Sequence, residues 1–558
     1  MLDQFNIAKS RFMRIAILLL VLSSFFANAQ PVGAPKLVVG IVVDQMRYEY
    51  LYRFERKFGE GGFKRLMNEG FNVKNGHYNY VPTYTGPGHA SVYTGTTPAI
   101  HGIIGNDWYE KESKAMVNCV GDTSRRPVGN AAGNGDVSPY RMLSSTISDE
   151  LKLATQRRAK VIGVSIKDRG AVLPAGHTPD GAFWYDGLTG KFMSSTYYKP
   201  ALPTWVDAFN AKNLADKYLN QEWKTLLPID QYKESGPDDS PYESKFKGKD
   251  KPTFPYDLKT LRKDNDNFDL LPDTPFGDDI LTELAKAAID GESLGKDEWT
   301  DMLAISYSTP DAVGHAMGPN SVEVEDVYLR LDRNLADLFA KLDADVGKGQ
   351  YTVFLTADHA VADVPQYMKD IKIPADYLKQ SAIVAGLNDY LKLYFPGKKL
   401  IERVSNDQIF LDAAAFGDDP RSAGVDYLVS LELIRNYLLR QPGIAEAYTK
   451  QTIMNSDYAE QGTKGKIRRG FHSKRSGDVA FSLEPGWFAS SSTTGTTHGS
   501  PHTYDTHVPM LFYGFGVKPG ATVRYHAITD IAPTISVIMK TKFPNGCTGQ
   551  PIEELLDK

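Results

Sequence analysis

The chain has 558 residues, 42% of them hydrophobic and 23% charged, the usage of a globular protein with ample core and not of a disordered chain. Its 63 Lys and Arg stand against 68 Asp and Glu, a formal net charge of -5, so no overall basic field recommends nucleic acid as the main partner. Cys119 and Cys547 are its 2 cysteines, which excludes a disulfide-dense scaffold and a cysteine zinc site and allows at most one bridge.

Lys9, Arg11 and Arg14 precede the apolar run Ile15 to Leu22, and Ala27-Asn28-Ala29 follows. A charged flank, a short apolar segment and an Ala-x-Ala end predict a signal peptide over residues 1–29, cleaved after Ala29. The run is shorter than the roughly 20 residues of a spanning helix, and no later segment is long and apolar enough to replace it. The expected location is a periplasm or cell surface, with no stable membrane span after cleavage.

Lys36 to Asp44 is a continuous apolar run ending in an acid, the pattern of a strand buried on both faces of a parallel sheet. Similar runs cover residues 160–166, 302–307, 351–356 and 508–513, with helical spacing over 279–289, 322–342 and 528–539. This alternation predicts an α/β fold, a doubly wound and mostly parallel sheet flanked by helices. Two regions interrupt it. Residues 200–275 are rich in Lys, Asp, Pro and Tyr, and read as an insertion. Residues 376–475 carry a strand at 407–412, a helix at 428–439 and a basic turn at 464–469, and read as a small α+β insertion. The catalytic core would then comprise 30–199, 276–375 and 476–558.

In open α/β sheets, ligands bind beyond the carboxyl ends of the strands. Asp44 ends the first run, Asp311 and His315 follow the 302–307 run, and Asp358-His359 follow the 351–356 run. A single Asp at a strand end is an ordinary turn residue, and a single His is commonly just hydrogen-bonded. Clustered carboxylates repel without cations, however, and oxygen and imidazole donors without sulfur suit zinc, ahead of manganese or iron. Thr85, in Thr85-Gly-Pro-Gly-His, opens a short predicted helix; its hydroxyl serves either as a helix cap or as a metal-activated nucleophile. Lys167 and Arg169 follow the 160–166 run, as a solvated basic turn or as a grip on a dianionic phosphoryl group. Asn106 could donate an amide hydrogen bond to the same group.

Together, Thr85-Gly-Pro-Gly-His, Gly105-Asn-Asp-Trp, Ser165-Ile-Lys-Asp-Arg-Gly and Asp311-Ala-Val-Gly-His resemble the alkaline phosphatase superfamily. The likeness is to its phosphate-irrepressible, threonine-nucleophile branch and spans the chain from Asp44 to the helix near Ile528. The resemblance implies two Zn2+ per chain. Asp44, Thr85, Asp358 and His359 would surround one, and Asp311, His315 and a later histidine the other. His498, in Thr497-His-Gly, is the preferred last ligand, with His507 second. Asp530-Ile-Ala-Pro-Thr looks like the superfamily's terminal helix, with a structural role. The implied activity is hydrolysis of small phosphate monoesters, of broad specificity, through a phosphothreonine at Thr85, releasing inorganic phosphate while Asn106, Lys167 and Arg169 hold the non-bridging oxygens. No magnesium site is recognisable. A phosphodiesterase or nucleotide pyrophosphatase of the same superfamily is the nearest rival, and a non-catalytic metal-containing surface binding protein is a rival of another class.

Overall fold

The computed structural model describes residues 33–416 and 426–556; the signal-peptide segment 1–29 lies outside them. Pro35–Lys558 forms one compact unit. The apolar runs become strands because each is buried along its whole length: all seven residues of Leu37–Val43 and of Asp301–Tyr307 are buried, as are Val161–Ser165 and Tyr351–Thr356. They are the middle of a ten-stranded sheet. Its order is Gly520–Ala527, Phe71–His77, Met510–Gly514, Tyr351–Thr356, Leu37–Val43, Asp301–Tyr307, Val161–Ser165, Gly181–Asp186, Lys191–Ser195, Pro127–Val128.

Five neighbouring strands, from Tyr351–Thr356 to Gly181–Asp186, run parallel. Leu37–Val43 lies between Asp301–Tyr307 and Tyr351–Thr356, so the carboxyl ends of these three strands emerge side by side. Met510–Gly514 and Lys191–Ser195 join antiparallel. The sheet is thus mixed, with a parallel centre.

Helices pack in two groups. Thr85–Thr94 contacts Asp168–Ala175 and Ile531–Met539, and Phe276–Gly291 contacts Val322–Leu342. The chain between residues 200 and 275 forms short helices and a two-stranded ribbon. Its Trp223, Tyr256, Leu258 and Leu261 join the main core, and Trp223 Nε1 and the Tyr232 hydroxyl both donate to Asp326, on the Val322–Leu342 helix. By contrast, Ile401–Ser405, Gln408–Leu411, Val479–Leu483 and Ile444–Thr449 form a separate four-stranded sheet. This sheet has its own apolar core, including Leu387, Ile409, Ile434 and Phe481.

The expected basic turn at 464–469 is instead part of a helix, Gly462–Gly470. Buried Ile467 and the Arg469 guanidinium, which donates to the carbonyls of Asn79, Tyr458 and Glu460, outweigh the poor helix propensity of its glycines. Cys119 and Cys547 are both free thiols. No described helix is long and apolar enough to cross a membrane.

Gly40 sits mid-strand beneath the Thr85–Thr94 helix, where an added Cβ would overlap the Tyr93 hydroxyl and the Phe354 ring. Gly40→Ala is therefore expected to destabilise the protein by about 1–3 kcal/mol, the usual cost of overpacking. A urea unfolding midpoint equal to that of the parent would contradict this contact.

Candidate active site

The three central strands each deliver side chains at the same sheet edge. Asp44 directly follows Leu37–Val43. Asp301–Tyr307 runs into the helix Thr309–Met317, whose 3.6-residue turn sets Asp311 and His315 one above the other. Asp358 and His359 follow Tyr351–Thr356. Their side chains gather into two groups, Asp44 with Asp358 and His359, and Asp311 with His315 and His498, each with ligand-type atoms within 4.8 Å of one another. His359 Nε2 lies 3.3 Å from Asp44 Oδ1 and 3.6 Å from Asp358 Oδ2. His315 Nε2 and His498 Nε2 lie 3.1 and 3.8 Å from Asp311 Oδ1. The His359 and His498 rings stack at 3.4 Å, which makes the two groups neighbours.

The chemistry of these donors fits metal ions. Asp44 Oδ1, Asp358 Oδ2 and His359 Nε2 are buried, with no hydrogen-bond partner among the described residues, an arrangement that is costly unless something else binds them. All three histidines use Nδ1 on a backbone carbonyl: His315 on Thr496 at 2.8 Å, His359 on Ala360 at 3.0 Å and His498 on Thr83 at 2.7 Å. A carbonyl only accepts, so Nδ1 carries the hydrogen and Nε2 of each neutral ring presents its lone pair to the site.

Electrostatics favour the neutral ring at His359 and His498. Burial pushes the His359 imidazolium down to about 3. Burial, then repulsion from His359 and His315, holds His498 well below the ordinary histidine value. For His315, burial opposes charging but the Asp311 carboxylate outweighs it, lifting the group to about 9. Burial, then the neighbouring Asp44, drives Asp358 well above the carboxylate range. A cation between two such carboxylates removes that repulsion.

Around these groups stand the remaining candidates. Lys167 Nζ bridges them, 2.6 Å from Asp44 Oδ2 and 2.5 Å from Asp311 Oδ2. Burial disfavours its charge, but Asp311 and Asp44 more than offset this and keep its pKa raised. Arg169 opens the next helix with Asp168, 3.8 Å from that carboxylate, and its buried Nε has no partner among the described residues. Thr85 is the first residue of its ten-residue helix and is 1% exposed. Gly88 lets that helix abut the Asp358 backbone, since a Cβ there would come within 2.7 Å of Asp358 Cβ. Asn106 Oδ1 accepts from the Gly86 N–H at 2.7 Å, which leaves its amide hydrogens available beside Thr85. Behind Asn106, Asn406 of the small sheet donates to the Asp107 carbonyl at 2.8 Å.

His507 is elsewhere, stacked on His77 and Tyr48 with Nε2 on the Lys74 carbonyl; His502 is bonded to the Leu483 carbonyl. Sequence reasoning gave no role to His89. Its Nδ1 donates to the Thr85 carbonyl at 2.8 Å and its Nε2 meets Ser306 Oγ at 2.8 Å, so it fastens the first helical turn to the sheet. Its signal was its spacing, four residues after Thr85 and hence on one helical face.

His498→Ala is expected to remove one bound divalent ion per chain, whereas His507→Ala should leave metal content unchanged. Elemental analysis of the purified variants checks this, and equal metal content in the two would contradict the grouping.

The chain matches the sequence profile of the type I phosphodiesterase / nucleotide pyrophosphatase family over residues 38–507. It is 44% identical to alkaline phosphatase PafA of Elizabethkingia meningoseptica, over 95% of this chain and 96% of that one. It is 45% identical to alkaline phosphatase PhoV of Synechococcus elongatus, over 94% of each chain. The crystal structure of wild-type PafA aligns with a TM-score of 0.90 at 43% identity, covering 94% of this chain and 100% of that one. The chain therefore belongs to the type I phosphodiesterase / nucleotide pyrophosphatase family of the alkaline phosphatase superfamily and, within it, to the PafA-type alkaline phosphatases, as a phosphate monoester hydrolase.

Proposed function

We propose that the enzyme is an exported alkaline phosphatase holding two zinc ions and hydrolysing phosphate monoesters of broad specificity through a phosphothreonine at Thr85. The observation that carries this reading is the Lys167 ammonium, held between the two ligand groups with Arg169 two residues on. A monoester presents a dianion, and these cations with the Asn106 amide match its three non-bridging oxygens. The donor set of three carboxylates and three imidazoles, without sulfur, favours zinc.

Asp44, Asp358 and His359, with Thr85, would hold one ion, and Asp311, His315 and His498 the other. Zinc held there would supply Lewis acidity to the reaction. The chain's own groups do the rest. Thr85 Oγ, at a helix N-terminus whose N–H dipoles favour an alkoxide, loses its hydroxyl proton and attacks phosphorus in line; its P–O bond forms as the ester P–O bond breaks, and the departing oxygen takes up one proton in balance and leaves as the alcohol. Lys167, Arg169 and Asn106 hold the transferring oxygens throughout. Water then attacks phosphorus from the vacated side, the Thr85 oxygen leaves with a proton, and inorganic phosphate is released. The N-terminal Ala27-Asn28-Ala29 pattern supports export. A diesterase reading has the family profile in its favour, but a diester carries one charge less and needs room for a second substituent, which two added cations do not serve.

Thr85→Ala is expected to lower kcat by at least about 10^3-fold, as loss of a nucleophile does, with metal content retained, and Thr85→Ser to keep far more activity. Acid quenching during turnover should trap phosphate on Thr85; a label on another residue would refute the assignment. Removing Lys167 or Arg169 should cost roughly 10- to 150-fold in kcat/KM for monoesters, the equivalent of one charge-assisted hydrogen bond. The double variant Lys167→Ala with Arg169→Ala should narrow the preference for a monoester over a diester with the same leaving group. Equal proportional losses on both substrates would favour the diesterase reading.

A further inference from the structure

Gln45 follows Asp44 at the end of the central strand and is 2% exposed, although glutamine is ordinarily a surface residue. Its backbone stands at φ 67°, a left-handed conformation uncommon outside glycine. The strand before it lies between the two strands that lead to Asp311 and Asp358, and Gln45 reaches toward both. Its backbone N–H donates to Asp358 Oδ1 at 3.2 Å, and its side-chain Nε2 donates to Asp311 Oδ1 at 2.6 Å. Asp358 keeps Oδ2 without a partner among the described residues, and Asp311 Oδ1 is the oxygen facing His315 and His498.

The amide is also hemmed in. Gly314 lies between Asp311 and His315 on one helix, and a Cβ added there would overlap Gln45 Oε1. The side chain therefore lies across the very turn that spaces these two ligands. We infer that Gln45 is a positioning residue that joins the two ligand groups: its main chain aims Asp358 while its amide aims Asp311. This rests on the two-zinc reading above. Groups that hydrogen-bond to metal ligands typically tune affinity by about 10- to 100-fold, and here one residue does so for a carboxylate in each group.

Gln45→Gly isolates the side chain, because glycine accepts the left-handed backbone and keeps the N–H toward Asp358. Zinc affinities of the full-length protein are measured by competition with a chromophoric chelator, together with the melting temperature of the metal-free form. The expected result is about 10- to 100-fold weaker binding at the Asp311 group alone, with unchanged affinity at the Asp358 group and an unchanged metal-free melting temperature. In a His498→Ala background, which is expected to bind no ion at the Asp311 group, Gln45→Gly should add no further loss. Gln45→Met, of similar volume but without the amide, should behave like Gln45→Gly if the donor matters and not the packing. Parental affinity at both groups, or equal weakening at both with a lower metal-free melting temperature, overturns the inference while leaving the two-zinc reading intact. Parental protein that takes up no zinc overturns both.

Discussion

Three carboxylates, Asp44, Asp311 and Asp358, are buried at one edge of one sheet, and the rest of the site follows from the need to neutralise them. Each uncompensated charge in such a place costs several kcal/mol. One ammonium, that of Lys167, touches two of the three, and the imidazoles present lone pairs and not charges where burial dominates, as at His359 and His498. An arrangement with this much negative charge and this few protons is built for cations. Once they are present, the same edge is poised to attract an anion.

The fold makes that concentration of charge possible. Because the parallel strands at the centre all end on the same side, their turns arrive together without any long excursion of the chain. The strands themselves are mostly apolar and buried along their whole length. Asp44, Lys167, Asp311 and Asp358-His359 all lie within a few residues of a strand end, where the backbone leaves the ladder and side chains are free to converge, while Thr85, Asn106 and His498 reach the same edge from a helix and loops.

This division also explains what could be read from sequence. The five long apolar runs were legible as strands because burial on both faces leaves no polar alternation to confuse the pattern. Phe71–His77 and Gly520–Ala527, toward the sheet margin, mix Lys74, Asn75, Arg524 and His526 into their strands and gave no such signal. Asp44, Asp311 and Asp358 were visible as acids at strand ends. His498 lies far away in sequence, and motif resemblance, not spacing, singled it out; its bond to the Thr83 carbonyl is a long-range contact that no local pattern encodes. The Gly462–Gly470 helix was misread because its glycines and charges mark a turn locally, while the contacts that hold it are tertiary. The small sheet draws its strand Val479–Leu483 from beyond the chain segment that carries the other three, so its extent follows from pairing, not from composition.

The separate core of that small sheet has an evolutionary consequence. Its interior, around Leu387, Ile434 and Phe481, is distinct from the main one, so substitutions within it can accumulate without straining the strands that carry the clustered acids and histidines. Yet it leans on the hairpin beside Asn106, through Asn406 on the Asp107 carbonyl and Phe410 against Tyr109. Drift in the insert can therefore shift the Asn106 amide by small increments while the acids and histidines stay where they are. That contact is a route by which change in the insert reaches the edge of the site without passing through its acids and histidines.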